Sequence, residues 1–363
     1  MTPLFPSRDP QRPTVHGTAS VVGANAIGLD SPPGGSHGGR GSGLADPVGF
    51  AEGVARDASG ASNGPGRIAD FFELTKARLT AMVLVTTTVG FLLGEPADIR
   101  WGLLALTVIG TALTAASAMA LNQALEVERD ARMDRTKDRP LPASRMTVSA
   151  AIAIAGVLGI AGLVLLLQLV NPLASILAGA NVLLYAFVYT PLKTRTSLNT
   201  IIGAITGGIP PMIGWVAATG RLDLGAWLLG VILFLWQLPH FLALAWMYRE
   251  DYARGGFVML PHIDPTGSLT SRVSILASLC LIPAALMTVM AGISGPLFAS
   301  VAIILGLILA GLSLRLHRDP TERRARSLFL ASLLYLPLLL GVMVIDHEWL
   351  GAPVPTSPGA SAP

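Results

Sequence analysis

The sequence predicts an all-α polytopic membrane protein, a bundle of about nine transmembrane helices. Three observations predict it. Of 363 residues, 52% are hydrophobic and only 13% charged, where a soluble domain carries about 25% charged residues. The apolar residues are gathered into runs of roughly 17–25, long enough to cross a bilayer as helices. The loops between the runs alternate between basic and nearly uncharged, the pattern of a chain oriented by the positive-inside rule.

Residues 1–65 are rich in Gly, Pro, Ser and Ala and show no apolar periodicity. Such a segment buries too little surface to offset its ordering entropy, and a disordered tail is expected. The membrane domain is expected over 66–346, followed by a short Pro/Ser/Ala tail over 347–363. An amphipathic lead-in, Arg67 to Arg78, opens onto a first span at about 79–95. The second runs over about 102–125 and the third over about 148–169. Asn171-Pro172 breaks the chain there, and a fourth span runs to about Tyr189. The fifth, about 198–217, is expected to be interrupted by Gly207-Gly208 and Pro210-Pro211. The remaining spans fall at about 225–247, 271–293, 296–315 and 327–345.

The loop over 129–145 carries six basic residues, Arg129, Arg132, Arg135, Lys137, Arg139 and Arg145, and the loops at 193–195, 249–254 and 315–326 are also basic. The alternate loops are short and nearly uncharged. The basic loops are therefore expected in the cytoplasm, with the N-terminus inside and the C-terminus outside a plasma or inner membrane. A net charge of +3 is too small to argue for nucleic acid. Cys280 is the only cysteine, so a disulfide framework is excluded. Neither a Cys/His cluster nor a P-loop is present.

Chemistry-bearing residues collect at the ends of the second, fourth and sixth spans. Asn122, Glu126 and Asp130 stand at i, i+4 and i+8, and so stack on one face of a helix. Acids in a membrane segment cost about 2.5–3.5 kcal/mol on insertion scales, which favours a use for them. Two carboxylates with an amide suit a divalent ion such as Mg²⁺; the bland alternative is a helix turning polar as it leaves the bilayer. Arg135, Lys137 and Arg139 follow in a loop that reads either as a positive-inside anchor or as a cationic lid over phosphate oxygens. Lys193, Arg195 and Asn199 lie where the fifth span begins, where helix N-terminal amides favour an anion. Tyr185 and Tyr189 either line a pocket wall or belong to an interfacial aromatic belt. In the sixth span Trp236, His240 and Phe241 share a short stretch, and Glu250 and Asp251 follow at its end. A histidine at membrane depth normally faces the bundle interior. It is either a hydrogen-bonded core residue or a group that handles a ligand or a proton.

These clusters resemble the UbiA-type superfamily of intramembrane prenyltransferases. The resemblance is carried by Glu73-Leu-Thr-Lys-Ala-Arg-Leu79, by Asn122-x-x-x-Glu126-x-x-x-Asp130, and by Met133-x-Arg135-Thr-Lys-x-Arg139-Pro140. It continues through Tyr189-Thr-x-Leu-Lys193, Asn199, Gly207-Gly-Ile-Pro-Pro-x-x-Gly-Trp215, Trp236-x-x-Pro-His240-Phe and Asp251-Tyr252. It covers about residues 66–345. The Trp-x-x-Pro-His-Phe and Met-x-Arg-Thr-x-x-Arg-Pro elements are similar to the branch that acts on haem. Two positions depart from the common pattern: Glu126 stands where Asp is commoner, and Glu250 and Asp251 replace a spaced Asp pair.

The resemblance implies transfer of a farnesyl group from farnesyl diphosphate to a vinyl group of haem b, with addition of water, giving haem O and diphosphate. That product leads toward haem A for terminal oxidases, with a downstream haem O oxygenase as an expected partner. Haem b is then substrate rather than cofactor. The resemblance further implies Mg²⁺ on Glu126 and Asp130, with Asn122 and Asp251 assisting. Arg135, Lys137, Arg139, Lys193, Arg195 and Asn199 would bind diphosphate, and Tyr185, Tyr189, Trp236 and Phe241 would surround haem and prenyl chain. His240 would either orient haem or take a proton. A same-fold enzyme acting on a quinone precursor or another aromatic acceptor is the alternative. A transporter would place its charges near the bilayer midplane in broken helices, whereas here they gather at one end, except for His240 and the expected Pro210-Pro211 break.

Overall fold

The computed structural model describes residues 66–94 and 99–349. The expected N-terminal tail, residues 1–65, lies outside them, as do residues 350–363. The described residues fold into helices only, and nine of these are long and apolar enough to cross a membrane. The chain is thus a multi-pass membrane protein of the predicted all-α class.

The order is α1 (Arg67–Leu74), α2 (Ala77–Gly94), α3 (Trp101–Asp130), α4 (Val148–Leu169) and α5 (Pro172–Leu183). A π-helical stretch over Leu184–Tyr189 and the single turn α6 (Thr190–Leu192) complete the fourth span. Then follow α7 (Asn199–Thr219), α8 (Leu224–Met247), α9 (Arg249–Arg254) and α10 (Leu260–Ile263). The bundle closes with α11 (Ser268–Met290), α12 (Pro296–Arg318) and α13 (Glu322–Trp349). Asn171 makes the predicted break: its side chain accepts from Ala174 N–H at 2.8 Å as an N-cap, with Pro172 in the first turn.

Helix α7 is the buried centre, with 78% of its most apolar window inside the protein, followed by α8 at 67% and α3 at 56%. The outer helices α4 and α12 and the fourth span, Pro172–Leu192, bury 28% each of their most apolar windows, so they show lipid their remaining faces. On α4, exposed Ile152, Val157, Ile160 and Val164 cover that face, which would be costly in water and is not in hydrocarbon.

The expected interruption of the fifth span is not found: α7 runs unbroken through Gly207-Gly208 and Pro210-Pro211. The two prolines withhold the amide donors that the carbonyls of Thr206 and Gly207 would otherwise receive. Packing holds the helix regardless. A Cβ on Gly214 would strike the Thr87 carbonyl, and one on Gly90 the Pro211 carbonyl. A Cβ on Gly208 would lie 2.7 Å from the Gly230 carbonyl. Helices α2, α7 and α8 thus meet backbone to backbone, the close approach small residues allow in membranes. This rigid core holds the ends of α3 and α8 beside the turn after the fourth span.

Candidate active site

The predicted stripe on α3 forms one buried face. Asn122, Glu126 and Asp130 are 0%, 5% and 2% exposed. Burial of two carboxylates demands partners, and each has a cation. Lys193 lies 2.9 Å from Glu126 Oε1, and Arg139 reaches Asp130 Oδ2 at 2.7 Å. Asn122 donates to Glu126 Oε2 at 2.9 Å and to Thr190 Oγ1 at 3.0 Å. Its own carbonyl oxygen accepts from Lys76 Nζ at 2.8 Å. The loop after α3 is folded back by Thr136, whose hydroxyl donates to the Asp130 carbonyl at 2.8 Å. That turn brings Arg139 onto the stripe.

Lys76 joins α1 to α2 in the left-handed region, with φ of 47°, an uncommon setting for a side chain of this length. Burial, then the charges of Arg139 and Lys193, lower its ammonium to about 7. Burial also opposes the charge on Lys193, but the Glu126 carboxylate beside it outweighs this and holds the ammonium above the usual lysine range.

The other predicted residues take different places. Arg135 lies over the rings of Tyr248 and Tyr252, at 5.3 and 5.5 Å, and donates to the Tyr252 hydroxyl at 3.2 Å. Lys137 pairs with Asp134 at the surface, at 3.0 Å, and Arg195 is exposed. Asn199 is buried with its amide donating to the carbonyls of Thr196 and Val258, at 2.7 and 2.8 Å. It braces the turn that carries Lys193. Asp251 accepts from Asp134 N–H at 2.9 Å and from Arg254 at 2.7 Å, tying α9 to the same loop as Arg139.

Beyond Tyr189 the polar end gives way to an apolar cavity of about 290 Å³. Lys193 Nζ sits 4.6 Å over the Tyr189 ring, and that ring forms part of the cavity wall. Tyr185, Trp236, His240 and Phe241, all singled out from sequence, line the same cavity. The π-helical stretch turns both tyrosines toward it, with the Thr190 hydroxyl donating to the Tyr185 carbonyl at 2.8 Å. Among the cavity residues not foreseen, two carry side-chain amides. Asn181 has a buried side-chain oxygen without a partner, and Gln237, 5% exposed, packs on Gly207. Only their polarity inside apolar runs would have marked them.

The arrangement joins a mouth of paired carboxylates and cations to an apolar cavity. The profile of the UbiA prenyltransferase family matches residues 83–335. The chain belongs to the UbiA prenyltransferase family. One relative within it is the protoheme IX farnesyltransferase of Solibacter usitatus, 43% identical over 290 residues, which are 77% of this chain and 99% of that protein. The UbiA fold is also that of a solved digeranylgeranylglyceryl phosphate synthase (TM-score 0.67, 17% identity, 77% of this chain and 98% of that one). It is shared with a UbiA homologue from Archaeoglobus fulgidus solved with DMAPP and Mg²⁺ (TM-score 0.54, 12% identity, 76% and 99%). This UbiA member is accordingly a prenyltransferase enzyme.

The site's donors fit a shared divalent ion. Among the described residues no group of three or more His, Cys, Asp or Glu is close enough to hold a metal alone. What stands there is a pair of carboxylates and an amide oxygen, all hard donors. Mg²⁺ is commonly held by one or two carboxylates, with waters and substrate phosphates completing its shell.

Proposed function

We infer that this chain transfers the farnesyl group of farnesyl diphosphate to a vinyl group of haem b, with addition of water, giving haem O and diphosphate. The observation that carries the reading is the joining of the Asn122/Glu126/Asp130 mouth, through Tyr189, to the apolar cavity that holds Trp236 and His240. The acceptor is taken from the Trp236-x-x-Pro-His240-Phe stretch and from the relative's name.

Mg²⁺ bound by Glu126 and Asp130, with Asn122 assisting, would neutralise diphosphate charge and favour its departure. With the acids so engaged, Arg139, Lys193 and Lys76 turn their charge to the phosphate oxygens, and Arg135 adds a guanidinium held on two tyrosine rings. The allylic C–O bond breaks as the diphosphate leaves with the bonding pair. The apolar wall keeps water from the farnesyl cation. A haem vinyl carbon bonds to farnesyl C1, and the cation left on the vinyl group takes the oxygen of a water, which sheds a proton. In this reading His240 accepts that proton.

The mouth faces the cytoplasm in this reading, because the loops around it are the basic ones. Haem O is then handed on in the membrane to an oxygenase that leads toward haem A. The test is the mass of the product. Full-length protein in lipid, given haem b, farnesyl diphosphate and Mg²⁺, is expected to add farnesyl plus water to haem. Prenylation of 4-hydroxybenzoate instead, with haem untouched, would reject haem as the acceptor.

A further inference from the structure

We propose that Ser332 on α13 is a positioning residue for His240, fixing the imidazole as the tautomer protonated on Nδ1 and leaving Nε2 as a bare acceptor toward the cavity. Ser332 is fully buried, and its hydroxyl donates to the Phe329 carbonyl at 2.7 Å. A hydroxyl has one proton, so Ser332 Oγ has only lone pairs left to offer. With that proton held on the Phe329 carbonyl, the 2.9 Å contact between Ser332 Oγ and His240 Nδ1 assigns Nδ1–H as the donor to oxygen. A neutral imidazole carries one N–H, and the hydrogen bond at one nitrogen decides the state of the other.

The ring plane is fixed as firmly as the proton. His240 is stacked between Trp236, at 5.1 Å and 22°, and Phe329, at 4.8 Å and 27°. Trp236 in turn donates its indole N–H to the Ser332 carbonyl at 2.8 Å. One turn of α13 thus grips both aromatic rings of the Trp236-x-x-Pro-His240 stretch. Among the described residues Nε2 has no hydrogen-bond partner, and the ring lines the cavity.

The role rests on the farnesyl-transfer reading above. In it, an O–C bond forms between water and the vinyl-derived cation, an O–H bond breaks, and the proton passes to Nε2. The imidazolium that results keeps its Nδ1–H on Ser332. Without the serine, the proton is free to sit on Nε2, and the ring then offers no base to the cavity.

The experiment uses full-length protein in nanodiscs, labelled with ¹⁵N-histidine, with the His240 signal assigned by its loss in His240→Gln. The wild type is expected to show a pyridine-type nitrogen at Nε2, recognised by its couplings to both ring carbon-bound protons. Ser332→Ala is expected to mix the tautomers and to lower kcat by roughly 10- to 100-fold, with KM for farnesyl diphosphate unchanged. Ser332→Thr is expected to restore both. A pyridine-type signal at Nδ1 in the wild type would overturn the proposal without any variant, and so would wild-type kcat in Ser332→Ala. A wild type that farnesylates no haem would fell the reading of the reaction instead, while the tautomer is still read from the spectrum.

Discussion

Lys193 Nζ stands 2.9 Å from Glu126 Oε1 and 3.0 Å from Oε2, closing the turn after the fourth span onto the acid of the second. Their side chains are only 11% and 6% exposed. Neither charge tolerates the loss of the other at that depth. Glu126→Gln and Lys193→Met are each expected to destabilise the protein by about 3–5 kcal/mol. The double variant is expected to be more stable than either single one, because it leaves no unpaired charge. Thermal unfolding of the three proteins in one detergent checks this; equal losses that simply add would remove the pairing argument.

Asp130 presents a different balance, since its partner Arg139 is on a loop and 19% exposed. Asp130→Asn keeps the shape and removes the charge that would hold the metal. Activity of the wild type is expected to be lost to a chelator and restored by Mg²⁺. In Asp130→Asn the Mg²⁺ needed for half activity is expected to rise roughly 10- to 100-fold. An unchanged Mg²⁺ dependence would take Asp130 out of the metal site.

The stripe itself was readable from sequence because it is local: a spacing of four residues sets a helix face whatever surrounds it. The spans were readable for a similar reason, since apolar length alone decides them. What sequence could not give is who meets the stripe. Lys76 pairs with Asn122 across 46 positions, and Ser332 meets His240 across 92. A lysine beside a span reads as a membrane anchor, and a serine in an apolar helix reads as a small packing residue. Asn199 shows the converse. Its place at a helix start suggested an anion ligand, while its amide is engaged by the backbone of Thr196 and Val258. Helix α7 runs through two prolines because the tight fit of Gly90, Gly208 and Gly214 overrides the local preference to break.

That fit makes its own prediction. A methyl group on Gly214 has no room beside the Thr87 carbonyl, nor one on Gly90 beside that of Pro211. Backbone cannot swing aside as a side chain does, so α2 and α7 must separate. Gly214→Ala and Gly90→Ala are each expected to cost roughly 1–3 kcal/mol. Gly156→Ala on α4, where nothing lies within 4 Å, is expected to change stability by less than about 1 kcal/mol. The temperature at which each variant aggregates in detergent separates these outcomes, and equal behaviour of all three would refute the close-packing account.

Lys76 links the site to pH. Its ammonium is lowered to about 7 by burial and by Arg139 and Lys193. An arriving diphosphate favours the charged form and raises that value. Below about 7 the free protein already holds the proton, so the lysine contributes its full attraction. Above it, binding must take up a proton, and the contribution falls by up to tenfold per pH unit. Diphosphate titrates too, so the quantity to follow is the affinity ratio between wild type and Lys76→Gln. With Mg²⁺ and inorganic diphosphate in a calorimeter, that ratio is expected to keep its full value below about pH 7 and to shrink steadily toward alkaline pH. The same wild-type titrations, run in buffers of different ionisation heat, are expected to show proton uptake that Lys76→Gln lacks. A ratio independent of pH, with no difference in proton uptake, would mean that Lys76 does not meet the diphosphate.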